Sequence, residues 1–149
     1  MQAGREIKFR GKCIADGELN GEWVFGDLLQ KNGKIYIAPH SNSVSVNGHI
    51  GKLIIMHEVS PESVGQFTGL RDKNGKEIYE GDFVRVRPRL VENQDAFTAP
   101  IVWKRSGFEL DRTIDGWIGY PIVTRLDGMA DELEVIGNIY EHPELLQAG

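Results

Sequence analysis

The residues best suited by type and spacing to do chemistry are basic. Arg85, Arg87 and Arg89 alternate along one run, so they would project from one face of a strand. Arg71, Lys73 and Lys76 lie on the hairpin just before them. Such a face could follow a phosphate backbone, with Phe83 on the same face and Tyr79 close by to stack against bases, as small β-barrels do with single strands. Asp72, Glu77, Glu80 and Asp82 interrupt the patch. A solvated face whose arginine stems cover apolar surface is the plainer reading. The net charge of −5 over 149 residues also disfavours general binding to nucleic acid, which relies on a basic face.

Other chemistry finds less support. Cys13 stands beside Lys12, which would favour the thiolate slightly, but no His or Asn signature can be tied to it. Cys13, His40, His49 and His57 do not fall in any zinc-ligand spacing. Glu80 and Asp82 flank Gly81, where the carboxylate of Asp82 would cap its own corner rather than act as acid or base. Neither a phosphate-binding loop nor a dinucleotide fingerprint is present, and the glycines fall in turns. The expectation is a protein that is not an enzyme, with no catalytic, cofactor-binding or metal-ligating residues.

The elements that would position the basic residues centre on Val64–Val86. Gln66–Leu70 and Lys76–Tyr79 are β-prone runs around Arg71-Asp72-Lys73-Asn74-Gly75, in which Asn-Gly predicts a type I′ hairpin turn. A glycine corner, Glu80-Gly81-Asp82, leads into Phe83–Arg87, where Val84 and Val86 alternate with the arginines. Pro88 cannot donate to a ladder, so the strand is an edge there or has ended. Upstream, Ile7 and Phe9 alternate with Lys8 and Arg10, as in a half-buried strand. Asp16-Gly17 and Asn20-Gly21 interrupt this pattern before a strand at Trp23–Phe25. Lys31-Asn32-Gly33-Lys34 is a second Asn-Gly hairpin, and Asn47-Gly48 could close a third. Leu53–Met56 reads as a buried strand, and Ser60-Pro61 as the start of a single helical turn. Downstream, Ile101–Lys104 and Phe108–Leu110 flank Arg105-Ser106-Gly107 as a further hairpin. Glu132–Tyr140 reads as the closing strand, followed by a short turn at Glu141–Leu146.

At these residues a resemblance becomes specific. The phrase GQFTGLRDKNGKEIYEGDFV resembles the signature of the YopX family of bacteriophage and prophage proteins. Arg5–Arg10, Trp23–Leu28 and Val135–Leu145 resemble the family's opening, second and closing elements, with His142 where the family usually has Asn. The likeness runs from about residue 5 to 146. It implies a small, phage-borne, largely β protein, and carries over no catalytic residues.

The expected fold is mainly β, with one or two short helical turns. An N-terminal antiparallel β portion, residues 1–58, would precede a small SH3-like or similar β-barrel at residues 59–149, the two together forming one family domain. The leading core candidates are Phe9, Trp23, Phe25, Ile54, Phe67, Ile78, Val84, Val86, Val102 and Ile139. One cysteine among 149 residues excludes an intramolecular disulfide and suits a reducing compartment. The polar N-terminus and the lack of a long apolar run point to the bacterial cytoplasm, with no membrane partner. The expected function is a non-enzymatic interaction or assembly module binding host or phage protein and itself as a homo-oligomer. The alternative is a small nucleic-acid accessory protein using Arg71, Lys73, Arg85, Arg87 and Arg89.

Overall fold

The structure, a computed structural model, describes residues 6–39, 43–46, 49–52, 55–87, 95–104, 107–111, 120–121 and 132–146. Two compact units divide the protein, Met1–Phe67 and Thr68–Gly149. The division falls inside a strand whose start pairs back into the first unit.

In the first unit, β1 (Phe9–Lys12), β2 (Trp23–Lys31), β3 (Lys34–Ala38), β6 (His57–Val59) and the beginning of β7 (Gly65–Arg71) form one sheet in the order β6-β3-β2-β1-β7. Its pairings are antiparallel. β4 (Ser43–Val46) and β5 (His49–Lys52) pair antiparallel, Ser43 beside Lys52 and Val46 beside His49; the turn expected at Asn47-Gly48 lies outside the described residues. Cys13 bridges to Val59, with Ile14 N–H donating to Glu58 O and Ser60 N–H to Lys12 O, both at 2.9 Å. That bridge ties the edge strand β6 to the residues just past β1 and rolls the sheet over Cys13, Val24, Ile37 and Val59. Pro61–Ser63 forms the expected single turn, a 3-10 one with Pro at its start. Ser60 makes no capping bond to the backbone; instead Ser63 Oγ accepts Lys12 N–H and donates to Ser60 O, which fastens the turn to β1.

The second unit holds the rest of β7, its neighbour β8 (Glu77–Tyr79), and a five-stranded antiparallel sheet. That sheet runs β12 (Tyr120–Pro121), β11 (Gly107–Leu110), β10 (Phe97–Lys104), β9 (Asp82–Arg87), β13 (Glu132–Asn138). Among the described residues the sheet ends at β12 and β13, so this half is mainly β as expected but not a closed barrel. Its core combines Val84, Val86, Ala99, Ile101, Leu110 and Leu133 with Ile78 from β8, while Leu70 of β7 packs against it. The alternation of Val84 and Val86 with Arg85 and Arg87 is what turns the valines inward.

The Asn-Gly turns at Asn32 and Asn74 use different solutions. Between β2 and β3 only Asn32 and Gly33 intervene, at φ 53° and 76°, the type I′ geometry expected. Between β7 and β8, Asn74 keeps a negative φ and Gly75 alone is left-handed, at φ 81°. Asp72 N–H donates to Lys76 O and Gly75 N–H to Asp72 O, so three residues make the loop, a tight turn followed by a left-handed glycine. The expectation of type I′ here is corrected: Asp72 holds Asn74 N–H on its carboxylate and pulls the turn one residue wider. Nothing lies within 4 Å of a Cβ built at Gly75. Gly75→Val is therefore expected to cost about 1–2 kcal/mol of conformational strain alone, read as a shift in denaturant midpoint.

Among the core candidates, Phe67, Ile78, Val84 and Val86 are buried, Phe9 packs beside the first core, and Trp23 and Val102 are half-buried. Ile54 lies outside the described residues. Phe25 and Ile139 are exposed, at 44% and 39%. Phe25 faces away from the core because Val24 holds the inward position of β2. Ile139 lies just past the end of β13, beyond the stretch whose alternation fills the core.

Candidate functional site

The basic residues assemble on β9 and the β7–β8 turn, but acids come with them. Arg85 and Arg87 are exposed on β9. The register sets Arg85 beside Glu134 and Arg87 beside Glu132 on β13, so each pair shares a face. Lys73 Nζ reaches Glu132 and Glu134, both at 3.3 Å, and their carboxylates, Glu132's first, hold its ammonium above the usual lysine range. Arg71 turns to Glu77 at 3.5 Å and to Gly75 O at 3.3 Å. Arg89 lies outside the described residues. Along this strip Lys73, Arg85 and Arg87 meet Glu132 and Glu134, a mixed-charge surface rather than a basic groove. Phe83 and Tyr79 are 1% and 2% exposed and offer no ring to a base. The expectation that Phe83 shares the arginines' open face is corrected: its end of the strand is buried opposite Gly137.

A second surface begins where β13 breaks its alternation. The register shifts between Val135 and Gly137, leaving Ile136 as the extra residue of a bulge. Ile136 is 41% exposed, and Ile139, Tyr140 and Leu146 are exposed after it. The backbone folds back at Gly137: a Cβ there would stand 2.8 Å from His142 Nδ1 and 3.3 Å from Leu145 Cδ1. Asn138 N–H donates to His142 Nδ1 at 3.2 Å, Glu141 N–H donates to Asn138 Oδ1 at 2.8 Å, and the 3-10 turn Pro143–Leu146 follows. These apolar residues are held on a short, hydrogen-bonded scaffold. The sequence signal for them was the unbroken run Val135-Ile136, where strict alternation would place a polar residue.

A family model described as YopX protein matches residues 8–147. The chain belongs to the YopX family. No curated protein matches it. Among solved structures, protein EF1440 from Enterococcus faecalis is similar over 96% of this chain and 99% of its own, with a TM-score of 0.58 and 24% identity, a likeness of fold.

The phrase that carries the YopX resemblance is architectural. Asp72 is buried, and its carboxylate accepts Asn74 N–H and Lys76 N–H on Oδ1 and Val135 N–H on Oδ2, at 2.8, 2.9 and 3.0 Å. Lys73 N–H adds a bond to Leu133 O, so the turn covers the outer edge of β13 as a short strand would. Burial opposes the charge on Asp72, but the N–H of Val135, then of Lys76 and Asn74, with the Lys76 ammonium, outweigh it and hold its carboxyl below the usual aspartate range. Asp82, 1% exposed, accepts Tyr79 N–H at 2.8 Å. Between them Gly81, at φ 93°, donates to Ile101 O and accepts Ile139 N–H. In this YopX-family protein Asp72 thus fastens the central hairpin to β13, Asp82 closes the corner on Tyr79, and the Gly81 backbone ties that corner to β10. Among the described residues, no group of three His, Cys, Asp or Glu stands together as a metal site, and no helix is long and apolar enough to cross a membrane.

Proposed function

We propose that this YopX-family protein is a non-enzymatic interaction or assembly module that binds a protein partner in the cytoplasm of a phage-carrying bacterial host, and associates with its own copies. The observation that carries the reading is the exposed apolar series Ile136, Ile139, Tyr140 and Leu146, presented by a bulge and a hydrogen-bonded turn. Large apolar side chains on a pre-ordered scaffold bind with little further ordering cost. The alternative, a nucleic-acid accessory role, is favoured only by the exposure of Arg85 and Arg87, and the neighbouring glutamates weaken it.

The test is an affinity capture from host lysate with and without nuclease, run on the wild type and an Ile136→Asp/Tyr140→Asp variant. A stoichiometric protein kept after nuclease by the wild type and lost by the variant is the expected result. Identical capture by both proteins would remove the apolar series from the account. Material that disappears with nuclease, together with steeply salt-dependent oligonucleotide binding lost in an Arg85/Arg87/Arg89 triple alanine variant, would transfer the function to the arginine face. Sedimentation of the purified protein reads self-association directly.

A further inference from the structure

We propose that Asn32 is a self-modification site, at which the β2–β3 turn converts asparagine to aspartate and isoaspartate without an enzyme. The chemistry belongs to Asn-Gly sequences. The backbone nitrogen of the glycine attacks the amide carbon Cγ of the asparagine. A new bond forms between that nitrogen and Cγ, the bond from Cγ to Nδ2 breaks, and ammonia leaves with the proton given up by the attacking nitrogen. The product is a five-membered succinimide. Water then opens it at one carbonyl to give aspartate or at the other to give isoaspartate, in which the backbone gains a methylene.

Three Asn-Gly pairs in the described residues have an identical reacting dipeptide, so only the fold distinguishes them: Asn20-Gly21, Asn32-Gly33 and Asn74-Gly75. All three asparagines are exposed, so access to water does not separate them. The hydrogen bonds do. Asn20 is held at both reacting groups: its Nδ2 donates to Ile14 O at 3.2 Å and to Ala15 O at 3.1 Å, and the attacking nitrogen, Gly21 N, donates to Cys13 O at 2.8 Å. At Asn74 the attacking nitrogen is held again, Gly75 N–H donating to Asp72 O at 2.9 Å, and Asn74 N–H is fixed on the Asp72 carboxylate at 2.8 Å. At Asn32 neither restraint exists among the described residues: Gly33 N meets no acceptor and the Asn32 amide makes no bond. The space beside the glycine is open at all three pairs, so it does not separate them either. The turn at Asn32 is also only two residues long and at the end of its hairpin, where opening requires the loss of few bonds.

The consequence is structural as well as electrostatic. An aspartate adds one negative charge between Lys31 and Lys34, whereas an isoaspartate lengthens a two-residue turn and disturbs the Lys31–Lys34 register that it sets.

The test incubates the full-length protein at mildly alkaline pH and maps deamidated peptides by mass spectrometry, with electron-transfer fragmentation to separate aspartate from isoaspartate. A parallel sample is unfolded in urea. The expected result is that Asn32 reacts about tenfold faster than Asn20 and Asn74 in the folded protein, roughly the factor of one backbone hydrogen bond that must first open. In urea the three rates should converge. An Asn32→Asp variant should also lose the fast acidic shift on isoelectric focusing. Reaction at Asn20 or Asn74 as fast as at Asn32 in the folded protein would overturn the proposal, as would an Asn32 that stays intact when folded but reacts in urea.

Discussion

Gly26→Ala is expected to destabilise the first unit by about 3 kcal/mol or more. Gly26 sits inside β2 at φ 155° and pairs with Phe9 on β1. A Cβ built there would lie 2.1 Å from Ala38 O, 2.7 Å from Ala38 C and 2.8 Å from Pro39 Cα. All three are backbone atoms, so no rotamer change relieves the contact, and β3 itself would have to move. The Asp27–Ala38 pairing next to it would be lost first. Gly17→Ala supplies the comparison: at φ 131° with nothing within 4 Å, it carries strain without collision and should cost about 1 kcal/mol. Denaturant melts of both variants measure the difference. A Gly26→Ala protein within about 1 kcal/mol of wild type would show that the approach of β2 to Ala38 is looser than described.

Asp72→Ala is expected to cost about 2–4 kcal/mol, through the second unit. It removes the acceptor of three backbone N–H groups, and the N–H of Val135 is the costly one because it belongs to a sheet strand. Asn74 and Lys76 are exposed and can turn to water. Asp72→Asn should lose most of the same stability. Both carboxylate oxygens already accept, so the amide nitrogen must face either Val135 N–H or the N–H groups of Asn74 and Lys76, donor against donor. An asparagine variant as stable as wild type would show that one of these bonds contributes nothing.

The same carboxylate sets an acid limit. Its folded pKa lies below the ordinary aspartate value, so the unfolded state takes up the proton first as pH falls. The contribution of Asp72 is complete above the unfolded value, shrinks as pH drops below it, and is gone once pH passes the lowered folded value. The stability gap between wild type and Asp72→Ala should therefore be constant at neutral pH and close under acid conditions. A gap that widens on acidification would contradict this sign.

Much of the fold was legible in the residues because it rests on local rules. Alternation marked β1, β9 and β13, and an Asn-Gly pair marked the turn at Asn32. Ser60-Pro61 marked the 3-10 turn, and the long central phrase identified the YopX family. These signals are carried by neighbours in sequence, where steric preference and period-2 geometry act without knowledge of the rest of the molecule. The basic strip shows where that reading ended. The period of β9 correctly set Arg85 and Arg87 on one face, but its partner strand begins at Glu132, more than forty residues later, and only the pairing register brings Glu132 and Glu134 beside the arginines.

Local order along the amino-acid sequence was enough to establish the inventory of strands and turns, the family, and the positions where only glycine fits a left-handed backbone. Tertiary structure decided which of those elements became neighbours. It opened the expected barrel into a sheet, buried Phe83 and Tyr79, exposed Phe25 and Ile139, and widened the turn at Asp72. Of the three Asn-Gly pairs among the described residues, it also held two by hydrogen bonds and left the third unheld. The physical reason is common to all of these: charge balance, burial and hydrogen-bond satisfaction are sums over partners distant in sequence, and no single stretch contains its own partners.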